Sequence, residues 1–187
     1  MTSDVSAVGR ASTLSAHALI AAARAGDRNA FALLVEPRAG HLLATARAIL
    51  GNEADAYEAA QEALIAAWIQ LPRLRDIDRF DAWLNRTLVN RCRDALRRRK
   101  RMTVREIDIE TATLTTADDA DAQAERAALL AAFERLSVDE RHILVLHHLH
   151  DLPLAQIAAQ LGVPVGTAKS RLWTARRALE RALEAES

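Results

Sequence analysis

The stretch from Pro164 to Arg177 reads PVGTAKSRLWTARR, and it follows the apolar segment Leu154 to Leu161 across the corner Gly162-Val163-Pro164. A glycine suits the left-handed residue that ends a helix, and a proline suits the first turn of the next helix. Apolar residues recur at helical spacing on both sides of this corner. The pattern predicts a helix-turn-helix, the motif whose second helix carries the contacts to DNA.

The second helix of this predicted motif has an apolar side and a polar side. The apolar stripe comprises Val165, Ala168, Leu172, Ala175, Leu179 and Leu183, which leaves polar and basic residues for the other faces. Trp173 lies off this stripe, so we expect it to be partly exposed. An amphipathic helix with a merely solvated cationic face would have the same composition, but the adjoining corner favours binding in a DNA groove.

The composition favours an all-α chain made of two small helical domains. The 187 residues are 50% hydrophobic and only 4% aromatic, and no alternation of β-branched residues of useful length is present. The formal net charge is zero, which on its own argues against a nucleic-acid partner. The charge is segregated, however: residues 71–105 hold twelve Arg or Lys against four Asp, whereas residues 106–125 hold seven acids and no Arg or Lys.

These blocks predict four segments. Residues 1–12 are small and polar and are expected to be disordered, residues 13–101 form the first helical domain, residues 102–124 form a flexible acidic linker, and residues 125–187 form the second helical domain. Asn52 is expected to cap the helix that starts at Glu53. Ser137 and Glu140 have the spacing of a capping box in the second domain.

Two helices of the first domain carry contrasting faces. The helix from Glu53 to about Leu71 presents an acidic face with one apolar residue beside it, composed of Asp55, Glu58, Gln61, Glu62 and Ile65. The next helix packs Phe80, Trp83 and Leu84 inward and displays a basic stripe of Arg86, Asn90, Arg93 and Arg97, followed by RRRKR at 97–101. A solvated helix face is the alternative interpretation of each.

Several classes of function are disfavoured. Cys92 is the only cysteine, so an intrachain disulfide and a thiolate metal cluster are excluded. His147, His148 and His150 adjoin one another, but consecutive histidines at a helix end cannot all face one ion, and we expect no metal and no cofactor. No nucleophile, base and metal converge, which argues against an enzyme. No apolar run approaches about 18 residues, so we expect a soluble cytoplasmic protein without membrane insertion.

The order of motifs resembles the group IV, or extracytoplasmic-function (ECF), sigma factors of bacterial RNA polymerase, within the sigma-70 family. Residues 55–62 read DAYEAAQE where the family has a segment like DAEDLVQE, and residues 80–90 read FDAWLNRTLVN where it has FxxWLxxIxxN. Residues 134–146 and 156–176 read ERLSVDERHILVL and QIAAQLGVPVGTAKSRLWTAR, similar to the family's second domain. Response regulators share the last motif but lack the first two.

The resemblance implies a role for each face. The acidic face would dock on the coiled coil of the polymerase's largest clamp subunit, and the second domain would contact the flap of the second subunit. Tyr57 and Ala59 depart from the family pattern in this docking segment.

The basic stripe, with Asn90 as the pocket asparagine, would capture a flipped base of the minus-ten element. The resemblance adds Arg75, Arg79 and Arg98 to it. We call these seven residues the minus-ten set: Arg75, Arg79, Arg86, Asn90, Arg93, Arg97 and Arg98. Leu74 replaces an aromatic residue that is common in the family.

The recognition set would contact the minus-thirty-five element and comprises Thr167, Lys169, Ser170, Arg171, Trp173, Thr174 and Arg177. Thr174 stands where the family usually has arginine. The linker predicted over 102–124 can stretch to roughly 75 Å, which exceeds the separation of about 60 Å between two elements roughly 17 base pairs apart. The resemblance thus implies a promoter-directing subunit, an anti-sigma partner and no homo-oligomer.

Two alternatives remain from other classes. A sigma-like decoy that binds an anti-sigma factor would keep the helical surfaces but lose the basic DNA faces, and both are present in the sequence. A free-standing helix-turn-helix regulator would bind DNA tightly without polymerase and would usually dimerise.

Overall fold

A computed structural model of the chain describes residues 16–103 and 120–185, and these residues form helices joined by short turns. The first domain contains α1 (residues 16–24), α2 (Arg28–Leu50), α3 (Glu53–Gln70) and α4 (Phe80–Thr103). The second contains α5 (Ala120–Glu134), α6 (Val138–Leu144), α7 (Leu154–Leu161) and α8 (Val165–Glu184). The prediction of an all-α chain with two helical domains is confirmed, while the disorder predicted for residues 1–12 lies outside the described residues.

The first domain is a bundle in which α3 lies between α2 and α4. Ala56, Ala59, Ala63 and Ala67 of α3 are completely buried, and such small side chains let neighbouring helices approach closely. The N-termini of α2 and α3 are capped by Asp27 and Asn52, whose side chains accept backbone N–H groups. The predicted cap at Asn52 is therefore confirmed.

The second domain contains the predicted helix-turn-helix. Gly162 ends α7 in the left-handed conformation, with φ of 67°, and α8 starts directly after Pro164. Buried Ile157 and Ala158 of α7 share a core with Ala168 and Leu172 of α8. This packing fixes the direction in which the exposed side of α8 points.

The capping box at the start of α6 yields a stability prediction. The Ser137 hydroxyl and backbone N–H both donate to the Glu140 carboxylate, at 2.7 and 2.8 Å, and the Glu140 N–H donates to Ser137 Oγ at 3.3 Å. We expect Ser137→Ala to lower the free energy of unfolding by about 1 kcal/mol, measured by urea denaturation. The matched control is Ser170→Ala on the exposed side of α8, and equal losses in the two variants would contradict the assignment.

The two domains pack directly against each other. Helix α4 contacts α6 and α7, and α2 contacts α6. Across this boundary Arg141 Nη1 donates to the Ile49 carbonyl at 2.6 Å, and Asn85 Nδ2 donates to Gln160 Oε1 at 3.2 Å. Thr45 Oγ1 lies 2.8 Å from His150 Nε2. The domain interface is therefore polar and specific.

The segment predicted as a linker, 102–124, overlaps both flanking helices. Helix α4 extends to Thr103 and α5 begins at Ala120. The alanines of residues 120–134 explain the early start of α5, because alanine has the highest intrinsic helix propensity. The central part of the predicted linker, residues 104–119, lies outside the described residues.

Candidate nucleic-acid interface

The acidic face lies along one side of α3. Glu58, Gln61 and Ile65 are exposed, whereas Asp55 and Glu62 are half-buried. Ile69, one turn beyond Ile65, is 67% exposed and extends the apolar part of this surface. Sequence reasoning missed Ile69, although its spacing of four residues from Ile65 was a usable signal.

The basic stripe is held outward by the buried side of α4. Leu84, Leu88 and Cys92 are buried in the first-domain core, so residues on the opposite side face outward. Arg86, Asn90 and Arg97 are exposed, and Arg93 and Arg98 are half-buried. Arg75 and Arg79 are exposed in the turns between α3 and α4. The structure thus places the minus-ten set around α4 and its N-terminal approach.

Several members of the minus-ten set are already paired with carboxylates. Arg98 lies 3.3 Å from Glu58 Oε1 and 3.5 Å from Glu62 Oε1, so it links the acidic face to the basic stripe. Arg93 pairs with Asp139 of the second domain, and its Nη1 also donates to Asn90 Oδ1 at 2.7 Å. These pairs join residues distant in sequence, and sequence reasoning did not identify them.

The recognition set lies on the exposed side of α8. Trp173 is 65% exposed, which confirms the expectation of partial exposure, while Thr167 is half-buried and the other five members are exposed. Arg177 Nη1 pairs with Glu180 at 3.4 Å. This helix therefore presents an aromatic ring, hydroxyls and cations together.

Parts of the two basic surfaces meet at the domain boundary. Arg86, Asn90 and Arg93 of α4 and Arg171 of α8 line a single cleft of about 400 Å³. The guanidinium of Arg79 also reaches Gly162 at the helix-turn-helix corner, where a Cβ would lie 2.8 Å from Nη2. In this arrangement Arg171 adjoins the basic stripe of α4.

The other titratable groups in the described parts of the chain form no reactive constellation. Burial raises the pKa of the Cys92 thiol to about 12, so Cys92 behaves as a small apolar side chain. His147 and His148 lie against each other with ring centroids 4.6 Å apart, whereas His150 faces His41 of the first domain. Among the described residues, no three His, Cys, Asp or Glu side chains are grouped to hold a metal ion. No described helix has the length and apolar character needed to span a membrane.

Comparison with known proteins identifies both domains. Residues 34–102 match the family described as Sigma-70 region 2, and residues 126–182 match Sigma-70, region 4. The chain is 35% identical over 166 residues to the ECF RNA polymerase sigma factor SigM of Mycobacterium tuberculosis, covering 88% of this chain and 83% of SigM. It is 33% identical over 144 residues to the RNA polymerase sigma-E factor of Streptomyces coelicolor, covering 76% and 78%.

Solved structures show the same architecture. CnrH, in complex with the cytosolic domain of CnrY, matches with a TM-score of 0.63 and 30% identity, over 92% of this chain and 99% of that one. The sigma factor RpoE of Bartonella quintana, in complex with the anti-sigma factor NepR, matches with a TM-score of 0.58 and 25% identity, over 84% and 98%. The chain therefore belongs to the sigma-70 family as a group IV (ECF) sigma factor, a non-enzymatic initiation factor that directs RNA polymerase to promoters.

Proposed function

We propose that this sigma factor docks on polymerase through α3 and reads two promoter elements through α4 and α8. The observation that carries the proposal is the separation of charge between adjacent helices: an acidic face with exposed Ile65 on α3, and a cationic stripe around Asn90 on α4. A protein partner with basic helices suits the first surface, and a phosphate backbone suits the second.

The docking partner of the acidic face is the coiled coil of the largest clamp subunit. Glu58 and Glu62 are bound by Arg98 in the free chain, and a cationic helix would replace that internal partner. The apolar part of the surface, Ile65 with neighbouring Ile69, adds buried area beyond charge attraction. The second domain contacts the flap of the second subunit.

The minus-ten set opens and holds the promoter without covalent chemistry. Unstacking a base costs a few kcal/mol, and a pocket at Asn90 that accepts the flipped base offsets this cost. Arg86, Arg93, Arg97 and Arg98 then neutralise phosphates of the displaced strand, which makes binding strongly dependent on salt. Arg75 and Arg79 frame the base from the turns that precede α4.

The recognition set reads the minus-thirty-five element in the major groove. Lys169, Ser170, Trp173 and Thr174 face base edges or groove walls, and Arg171 binds phosphate. Thr167 and Arg177 flank these contacts on the same helix.

Promoter binding by both sets requires the domains to separate. Their elements lie about 60 Å apart on DNA, whereas Arg86 and Arg171 line one cleft in the free chain. Residues 102–124 then act as the tether. An anti-sigma factor, like NepR in the solved complex with RpoE, would act in the cytoplasm by holding the chain away from polymerase and DNA.

Run-off transcription with purified core polymerase on genomic promoters tests this proposal. We expect Asn90→Ala and Lys169→Ala each to reduce transcript yield roughly tenfold or more, since each removes a base-reading contact worth about 1–3 kcal/mol. The matched control is Arg28→Ala, which removes an exposed cation outside the three surfaces. Both DNA-contact variants should still co-elute with core polymerase.

Two results would contradict the proposal. Equal transcript yields from all four proteins would disprove the DNA-binding roles of Asn90 and Lys169. Failure of the wild-type chain to co-elute with core polymerase would remove the docking role of α3.

A further inference from the structure

The cleft between the two domains has an excess of positive charge. Arg86 and Arg93 of α4 and Arg171 of α8 line it, and the carboxylate in the same lining is that of Asp139. Asp139 pairs with Arg93. Arg86 and Arg171 form no ion pair with any residue in the described parts of the chain. Closing the domains therefore brings uncompensated positive charges from both domains to one cavity.

The same cleft has a buried polar group without a partner. His142 of α6 is only 4% exposed and belongs to the lining, and its Nε2 has no hydrogen-bond partner. Burial lowers the pKa of His142 to about 4, so the ring is neutral at neutral pH and one of its nitrogens is a donor. Buried polar atoms are normally satisfied, and an exception calls for an explanation.

The remaining walls combine apolar side chains with the polar side chains of Asn90 and Gln160. Val89, Leu161 and Val163 line the cleft beside Gly162. The volume of about 400 Å³ lies within the range of small-molecule sites, which combine apolar walls with a few convergent polar groups. Arginines recognise phosphate through paired N–H donors, so Arg86 and Arg171 suit a phosphate group.

We propose that this cleft binds a phosphorylated small molecule of the nucleotide class, whose phosphates lie between Arg86 and Arg171 and whose base packs on Leu161 and Val163. Such a ligand bridges the two domains and stabilises their closed arrangement by mass action. It also covers Arg86, Asn90, Arg93 and Arg171, so it competes with promoter DNA. That competition rests on the proposed function, whereas the binding itself depends only on the closed structure.

Calorimetric titration of the full chain with ADP, GDP and adenosine tests the site. We expect the nucleoside diphosphates to bind and adenosine, which lacks phosphate, to give no heat. Arg86→Ala and Arg171→Ala should each weaken binding at least tenfold, because each removes a charge-assisted phosphate contact. The matched control is Arg176→Ala, an exposed arginine of α8 outside the cleft lining, and its affinity should equal that of wild type.

DNA also offers phosphate groups to these arginines. Energy transfer between dyes on α2 and α8, which reports the separation of the two domains, distinguishes nucleotide binding from DNA binding. ADP or GDP should increase the transfer by favouring the closed arrangement, and a single-stranded decanucleotide should decrease it. Absence of nucleotide binding at millimolar concentration, equal affinities for wild type, Arg86→Ala and Arg171→Ala, or closure driven by the decanucleotide would each overturn the proposal. The assays contain no polymerase, so they are independent of the transcription test.

Discussion

Replacing Arg141 with alanine is expected to lower the free energy of unfolding by about 3 kcal/mol or more. Arg141 is only 6% exposed, and its guanidinium donates to the carbonyls of Leu136 at 3.1 Å and Ile49 at 2.6 Å and also to that of Glu134. Alanine would leave three carbonyl groups without this donor, each at a cost of about 1–3 kcal/mol if it stays buried. Relief of the arginine's own desolvation, which lowers its pKa, offsets part of that sum.

Urea denaturation followed by circular dichroism measures this effect. Because the Ile49 carbonyl belongs to the first domain and Arg141 to the second, the variant should also unfold in two separate transitions. Arg141→Lys keeps the charge but lacks the planar fork that reaches several acceptors, so it should recover only part of the stability. Arg176→Ala is the exposed control, with an expected change below about 0.5 kcal/mol. The same small change in Arg141→Ala would disprove the structural role of Arg141.

Lowering the pH from 6.5 to 4 is expected to remove roughly 3 kcal/mol of stability through His142 alone. Burial is the main cause of its lowered pKa of about 4, while Asp139 of its own helix raises the pKa and the charges of Arg93 and His150 lower it. Between these pH values the unfolded chain binds a proton at His142 and the folded chain does not, so stability falls as the pH falls. The pH dependence from this group fades over about one pH unit above 6.5 and below 4.

Denaturation midpoints measured from pH 7.5 to 4 in the wild type and in His142→Gln test this dependence. The variant should lose most of the slope between pH 6.5 and 4. His150, whose pKa is also lowered by burial and by His41, leaves a smaller slope of the same sign. Ser170→Ala, which changes an exposed residue without a titratable side chain, serves as the control and should keep the wild-type slope. An unchanged slope in His142→Gln would show that another group causes the pH dependence of stability.

The features that were predictable from sequence are those set by neighbouring residues. The cap at Asn52, the capping box at Ser137 and the left-handed Gly162 all depend on contacts within a few residues. The helix-turn-helix followed from the same local signals. The exposed Trp173 also followed, because its position off the apolar stripe is a property of one helix.

The features that were missed depend on packing between distant segments. On α3 Ala59 and Ala63 are completely buried, whereas the adjacent Ala60 is only half-buried. An alanine-rich helix has little contrast between its faces, so its rotation is decided by its neighbours. Val165, predicted on the apolar stripe of α8, is 50% exposed because it lies in the first turn, beyond the core.

The domain interface was also beyond prediction. Arginine and histidine often lie at the surface, and no residue near Arg141 or His150 in the sequence indicates that Ile49 or Thr45 is its partner. The ion pair between Arg93 and Asp139 likewise joins two residues that the sequence alone would place in solvent.

In the proposed function both DNA-reading helices bind only after the domains separate, so the direct packing of α4 on α6 and α7 lowers the affinity of the intact chain for a promoter. A binding-competent form that is populated only in a fraction of molecules raises the apparent dissociation constant by the reciprocal of that fraction. An open fraction of about one in a hundred therefore weakens promoter binding about a hundredfold relative to a chain whose domains are already apart. Changes at Arg141 or Asp139, whose side chains contact the first domain, would accordingly alter promoter occupancy.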